Sequence, residues 1–269
     1  MINLKEEIEK VKKEGYNEAN AESLVCQDII LYAIANSSMN RNVTIKGGVV
    51  MRNLSHDARR ATQDIDMDFI RYSISDVSIH SFVENLKNID GLSIELLEPL
   101  IELKHQDYKG KRIFIKVKDT FGNELDSKID IGVQKDLDIG QEEYCFDICF
   151  QEDGVSLLMN SREQIITEKI KSFLRFGSRS TRYKDVFDIC YLSKESDPLK
   201  LEKCFRKYIY DDRSLPVDDI YEIRRRLTLV FTDRDFIRSV TRSRKNWMDC
   251  TTEEAMERNL AFIDSLIRN

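Results

Sequence analysis

What the chain is short of narrows it first. Three prolines (Pro99, Pro198 and Pro216) in 269 residues leave no Pro-rich hinge, and no repeat or low-complexity linker divides the chain. Only three histidines occur (His56, His80 and His105), and without an H-E-x-x-H motif there is no support for zinc-peptidase chemistry. The six cysteines include no C-x-x-C and suit a reducing compartment. Cys145 and Cys149 sit on a segment that alternates like a strand, so buried thiols are the stronger reading than zinc ligands. No apolar run approaches the roughly 20 residues that span a bilayer. The opening stretch MINLKEEIEKVKKEG is a charged amphipathic helix rather than a signal peptide with an apolar centre, so the expected location is the cytoplasm, away from membranes. Positive charge is also in deficit, with 42 Lys and Arg against 48 Asp and Glu and a net charge of −6. A protein that coats nucleic acid is basic, so any such contact here has to be a local patch.

What remains is a soluble-looking chain long enough for one large or two modest domains. Apolar residues at helical spacing predict a helix over 18–36, and NVTIKGG a short strand ending at Gly47. VVMRNL then reads as helix, SHDARRATQ as a polar loop and DIDMDFI as a strand, with a helix over 76–88. From 92 to 150 the period is mainly two, in LSIELLEPLIEL, KRIFIKVKDTF, SKIDIGVQ and YCFDICF, with Gly110 and Gly122-Asn123 marking turns. The period then changes. NSREQIITEKIKSFLRF opens with a cap candidate at Asn160 or Ser161, and helices follow over 181–193, 198–210, 216–231, 233–246 and 251–268. The expected class is therefore α+β, with a mixed domain over 1–155 and a helical domain over 156–269. A change of period with no linker suggests two halves that pack together.

Three local features carry chemistry. Gly47 and Gly48 lie at a strand-to-helix junction, where glycine lets backbone N–H groups approach a phosphate and the helix start adds positive potential. No Walker A loop and no G-x-G-x-x-G accompanies them, and a Gly-Gly pair alone is more often an ordinary tight turn. Downstream, Asp64, Asp66 and Asp68 alternate with Ile65, Met67 and Phe69, so the carboxylates share one strand face and the apolar set the other. Like charges so placed repel unless a cation lies among them, and Mg²⁺ is suited to carboxylates plus substrate phosphates. In SKIDIGVQ a single acid, Asp130, shares a face with Lys128 and Gly132 and is a candidate third ligand. Against this stands the abundance of acid: Asp-x-Asp recurs at Asp136/Asp138 and Asp233/Asp235, and a lone copy is more often a solvated face. Residues 160–184 add a local positive segment, Arg162, Lys169, Lys171, Arg175, Arg179, Arg182 and Lys184 against Glu163 and Glu168. It suits phosphate oxygens, or is simply a solvated helix.

Taken in order, KGGVVMRN…RRATQDIDMD, KIDIGV and EKIKSFLRF…RYKDVFDICYL resemble the AbiEii/AbiGii toxin family of nucleotidyltransferases, the toxin half of type IV toxin–antitoxin and phage-defence systems. The likeness spans residues 40–193. It implies a polymerase-β-like nucleotidyltransferase fold with a C-terminal helical domain that completes the active site. It implies that Lys46, Gly47 and Gly48 hold the triphosphate, that Asp64, Asp66 and Asp130 bind Mg²⁺, and that Lys169 meets nucleotide phosphates. Arg182, Lys184, Asp185 and Asp188 match the family's Arg-x-Lys-Asp-x-x-Asp, with Ile189 where Leu is usual and Asp185 ranked above Asp188 as catalytic. Gly48 stands where some relatives of the wider superfamily have Ser, which leaves a backbone rather than a hydroxyl contact. Asp185 and Asp188 are also i and i+3 on a predicted helix and share its face, where Asp185 pairing with a nearby Arg is the structural alternative.

The expected activity is Mg²⁺-dependent transfer of a nucleoside monophosphate from an NTP to an acceptor, by resemblance an RNA such as tRNA, with a cognate antitoxin as possible partner. A metal-dependent nuclease using the same acids, or a non-catalytic binding module, are the competing readings. In the helical tail, EIRRRL and RDFIRSVTRSRKNW supply Arg clusters, and Trp247 a surface for stacking a base, against the alternative of a bundle with a charged outer face.

Overall fold

A computed structural model describes residues 1–87, 89–103, 110–134 and 138–268, so His105 and Asp136 lie outside the described residues. The chain divides into two compact units, Met1–Asn160 and Ser161–Asn269.

The first unit is a seven-stranded mixed sheet with helices. Its elements are α1 (Leu4–Lys13), α2 (Glu18–Ala35), β1 (Val43–Lys46), α3 (Gly47–Ser55), β2 (Asp64–Ile70), α4 (Asp76–Asn85), β3 (Leu92–Leu103), β4 (Gly110–Asp119), β5 (Glu124–Gln134), β6 (Glu142–Ile148) and β7 (Gln151–Met159). The strand order is β3-β4-β5-β2-β1-β7-β6. β2 runs parallel to β5 and β1 parallel to β7; the other neighbours are antiparallel. Local chemistry sets the elements. Asn3 caps α1 by accepting from the Lys5 and Glu6 amides, and Glu6 and Glu7 in the first turn with Lys10, Lys12 and Lys13 in the last complement its dipole. α2 is apolar on nearly every side, so it is a buried helix, packed against β5, β6 and β7.

The sheet has two unlike faces at its centre. Ile45, Ile65, Met67, Phe69, Ile113, Ile115, Ile129 and Ile131 are all fully buried on one of them. Each such side chain contributes about 1.5–3 kcal/mol by leaving water, so this apolar set fixes the register of β1, β2, β5 and β4. The intervening residues are thereby forced onto the opposite face, and that face carries the acids. A buried polar link also anchors α3. Arg52 Nη2 donates to Asp28 Oδ1 at 2.6 Å, and the Cys149 amide donates to Asp28 Oδ2 at 2.9 Å. Burial pushes the Asp28 carboxyl up, against the pull of Arg52.

The second unit holds α5 (Arg162–Phe176), α6 (Lys184–Leu192), α7 (Pro198–Phe205), α8 (Ile220–Phe231), α9 (Arg234–Arg242) and α10 (Thr252–Arg268). Ser161 caps α5, accepting from the Gln164 amide at 3.2 Å. Four details differ from the sequence reading. The period-two pattern does not stop at residue 150, because β7 continues the sheet; its polar start and adjacent Leu157 and Leu158 obscure the alternation. Gly110 opens β4 instead of marking a turn. α8 begins at Ile220, not at 216, since Asp219 caps it through the Glu222 amide. Cys145 is exposed and Cys149 only partly buried, against the expectation of buried thiols, and none of the six cysteines forms a disulfide.

Candidate active site

Parallel pairing of β2 with β5 sets Asp66 beside Asp130 and Asp64 beside Lys128. Antiparallel pairing of β5 with β4 then sets Arg112 beside Asp130, and that of β1 with β2 sets Lys46 beside Asp66. One row across the sheet thus reads Lys46, Asp66, Asp130, Arg112. Arg112 clamps Asp130 with two bonds, Nε to Oδ1 at 2.8 Å and Nη2 to Oδ2 at 2.9 Å. The hydrogen bonds from this guanidinium to Asp130 raise its pKa further, with Asp64 and Asp66 adding to the effect through space. Lys128 Nζ lies 2.8 Å from Asp64 Oδ1. The row therefore places two adjacent carboxylates between two cations, with Asp130 enclosed, while Asp64 in the neighbouring row is open to solvent, its side chain 47% exposed.

Asp68 departs from the expectation of three carboxylates projecting together. It is buried, and Lys46 Nζ reaches it at 2.7 Å. A strand residue two places on shares the face but not the surroundings, and here the long side chain of Lys46 closes over it. Lys46, expected to meet a triphosphate, is 8% exposed with its ammonium turned to Asp68.

The two glycines have a steric reason. Gly47 has φ +66°, a region that side chains rarely adopt, and a Cβ there would lie 2.3 Å from Asp66 Oδ2. A Cβ on Gly48 would lie 2.4 Å from Thr62 Oγ1. The backbone at the start of α3 therefore passes directly over the Asp66 carboxylate. α3 has no side-chain cap at Lys46, so the positive end of its dipole is set beside the acids.

The donors on this face are carboxylate oxygens, suited to a hard cation. Among the described residues no group of three or more His, Cys, Asp or Glu side chains is disposed to hold a metal ion. Mg²⁺ commonly takes one or two carboxylates and completes its shell with water and substrate phosphates. The close approach of Gly47 to Asp66, with Asp64 and Asp130 adjacent, fits that incomplete kind of site. Arg112 occupies one direction on each Asp130 oxygen and leaves the other lone pairs.

In the helical unit a second cluster forms. Lys169 Nζ donates to Asp185 Oδ1 at 2.5 Å and to Asp188 Oδ2 at 2.8 Å, all three being buried. Asp185 and Asp188 do share a face of α6. Arg182 Nε lies 2.7 Å from Asp185 Oδ2, the arginine pairing weighed from the sequence. Arg182 is exposed and Lys184 partly so. Trp247 is not a stacking surface: it is 3% exposed, and its Nε1 donates to Asp188 Oδ1 at 3.0 Å. The Arg cluster of EIRRRL is matched internally. Arg224 bonds Asp264, and Arg225 and Arg226 both bond Glu222, whose carboxyl these bonds pull down to about 2.

Sequence reasoning missed Arg112 and the role of Trp247. KRIFIKVKD does alternate basic residues opposite the acids of ELDSKID, but the register that pairs them is a long-range fact. A family model described as "Nucleotidyl transferase AbiEii toxin, Type IV TA system" matches residues 29–256 of the chain. No curated protein matches it.

Proposed function

This chain belongs to the AbiEii family of nucleotidyltransferase toxins of type IV toxin–antitoxin systems, and from that premise we propose that it moves a nucleoside monophosphate from an NTP to a hydroxyl of RNA, such as tRNA, in a Mg²⁺-dependent reaction that releases pyrophosphate. The observation that carries this reading is the grouping of Asp64, Asp66 and Asp130 on one sheet face, with the Gly47 backbone over Asp66. Asp64 and Asp66 would hold the metal, with Asp130 as the third carboxylate. When bound, Mg²⁺ supplies charge neutralisation for the phosphates and lowers the pKa of an attacking hydroxyl. Arg112 fixes the orientation of Asp130 through both oxygens. Gly47 and Gly48 allow a phosphate chain to approach the main chain, and the start of α3 adds favourable potential there.

A polymerase-β-like arrangement is supported by three features: a glycine pair closing β1, two acids on β2, and a third acid on a strand parallel to β2. In the helical unit we assign the phosphate contacts to Arg182 and Lys184, the more exposed cations. Lys169 acts as the buried counter-charge that orients Asp185 and Asp188. Growth arrest in abortive infection, relieved by a cognate antitoxin, is the physiological role that follows. Among the described residues no helix is long and apolar enough to cross a membrane, and the cytoplasm, where NTP and tRNA are found, is the location we propose. Incubation with each NTP, Mg²⁺ and tRNA tests the reaction class. Release of pyrophosphate supports transfer, whereas RNA cleavage without it would instead support a nuclease.

A further inference from the structure

Next to the carboxylate row the first unit carries an open groove of about 470 Å³, within the roughly 300–1,000 Å³ common for small-molecule sites. One wall is a second cross-strand row in register: Asp64 on β2, Lys128 on β5, Phe114 on β4 and Leu97 on β3. Two residues along β2, β5 and β4 lies the row of Asp66, Asp130 and Arg112. Glu98 and Asp126 also line the groove. Phe114 and Leu97 are neighbours, both partly exposed, and make an apolar shelf on an otherwise charged face.

The carboxylates around the shelf are already neutralised in part. Asp64 meets Lys128 at 2.8 Å, Asp126 meets Lys116 at 3.4 Å, and Glu98 lies 3.2 Å from His80. Each still has lone pairs to offer. An anionic ligand would face three carboxylates here, whereas a flat, uncharged ring bearing N–H donors would find an aromatic face flanked by acceptors. We propose that this groove is a nucleobase site, with the base lying on Phe114 and Leu97 and its exocyclic amino group donating to Asp126 or Glu98. Adenine, cytosine and guanine carry such a group and uracil does not, so bases with an amino group are favoured. The base comes either from the incoming NTP or from the acceptor's terminal nucleotide. Because Asp64 belongs both to the groove and to the face of the acids, either source would bring its reacting end to them. The assignment rests on the transfer reaction proposed above and adds its base-recognition subsite.

The test separates the sources. Binding of adenosine, cytidine and uridine is followed by ligand-observed NMR on the full chain, on Phe114→Ala and on Phe114→Tyr, with folding checked by circular dichroism. KM values for NTP and for RNA are measured on the same proteins. Loss of a stacked base weakens binding by about 5- to 150-fold, so Phe114→Ala should fall in that range, Phe114→Tyr should recover, and uridine should bind least. A rise in the NTP KM alone identifies the incoming nucleotide, and a rise in the RNA KM alone identifies the acceptor. Nucleoside binding and both KM values unchanged within about twofold in Phe114→Ala would overturn the groove while leaving transfer intact. Nucleoside binding that depends on Phe114 in a protein that transfers nothing would support the groove and overturn the transfer reading.

Discussion

Lysine meets aspartate on a strand face at Lys128 and Asp64 and among helices at Lys169 with Asp185 and Asp188, and the surroundings of the two clusters differ. On the sheet, Asp64, Asp66 and Asp130 lie beside Lys128 and Arg112 on a face that solvent reaches at Asp64. In the helical unit, Lys169 is enclosed with Asp185 and Asp188, and Trp247 covers the remaining Asp188 oxygen. Partners at a wet surface exchange at small cost, because water replaces what is lost. Partners in a dry interior do not, because removing one leaves the others charged and unsolvated. The same residue types thus sit in reach of solvent in one place and enclosed in the other.

The sharpest way to break this contrast is Lys169→Ala, which strands two buried carboxylates. Removal of one partner of a buried pair costs about 3–5 kcal/mol, and urea denaturation followed by circular dichroism should show a loss of that order. Trp247→Phe keeps the packing and deletes one bond to a charged acceptor, with an expected cost of about 1.5–3 kcal/mol in the same assay. Arg112→Ala, by contrast, should cost about 1 kcal/mol or less yet lower activity, since Asp130 loses its clamp. A stability loss as large as that of Lys169→Ala would show that the sheet row is also scaffold.

These predictions follow what was legible in the sequence and what was not. The faces of β2 and the shared face of Asp185 and Asp188 follow from periods of two and 3.6 residues and could be read directly, while the cap of α5 was narrowed to Asn160 or Ser161. The facing of Arg112 with Asp130 depends on strand register, and that of Trp247 with Asp188 on a tertiary fold that brings together residues far apart in the chain. The burial of Lys46 against Asp68 was hidden for the same reason: alternation assigns a face but not what lies over it. β7 was missed because paired leucines and an acidic start mask its alternation.

The smallest expected effect concerns pH. Although burial opposes it, hydrogen bonds from Lys171 and Ser214 hold the Asp212 carboxyl below the usual range. A depressed carboxyl stabilises the fold above its unfolded value of about 3.9 and loses that contribution as pH falls through the folded value. The denaturation midpoint should therefore decline below about pH 4, and Asp212→Asn should make that decline shallower.

The central claim is tested most directly by incubating the protein with each α-³²P NTP, Mg²⁺ and total tRNA and resolving the RNA on a denaturing gel, with Asp66→Ala in parallel. Label on RNA with the unaltered protein, and none with an Asp66→Ala protein of unchanged circular dichroism, is the expected result. Equal labelling by both proteins would contradict the assignment of Asp66, and NTP binding with no label on RNA would contradict an RNA acceptor.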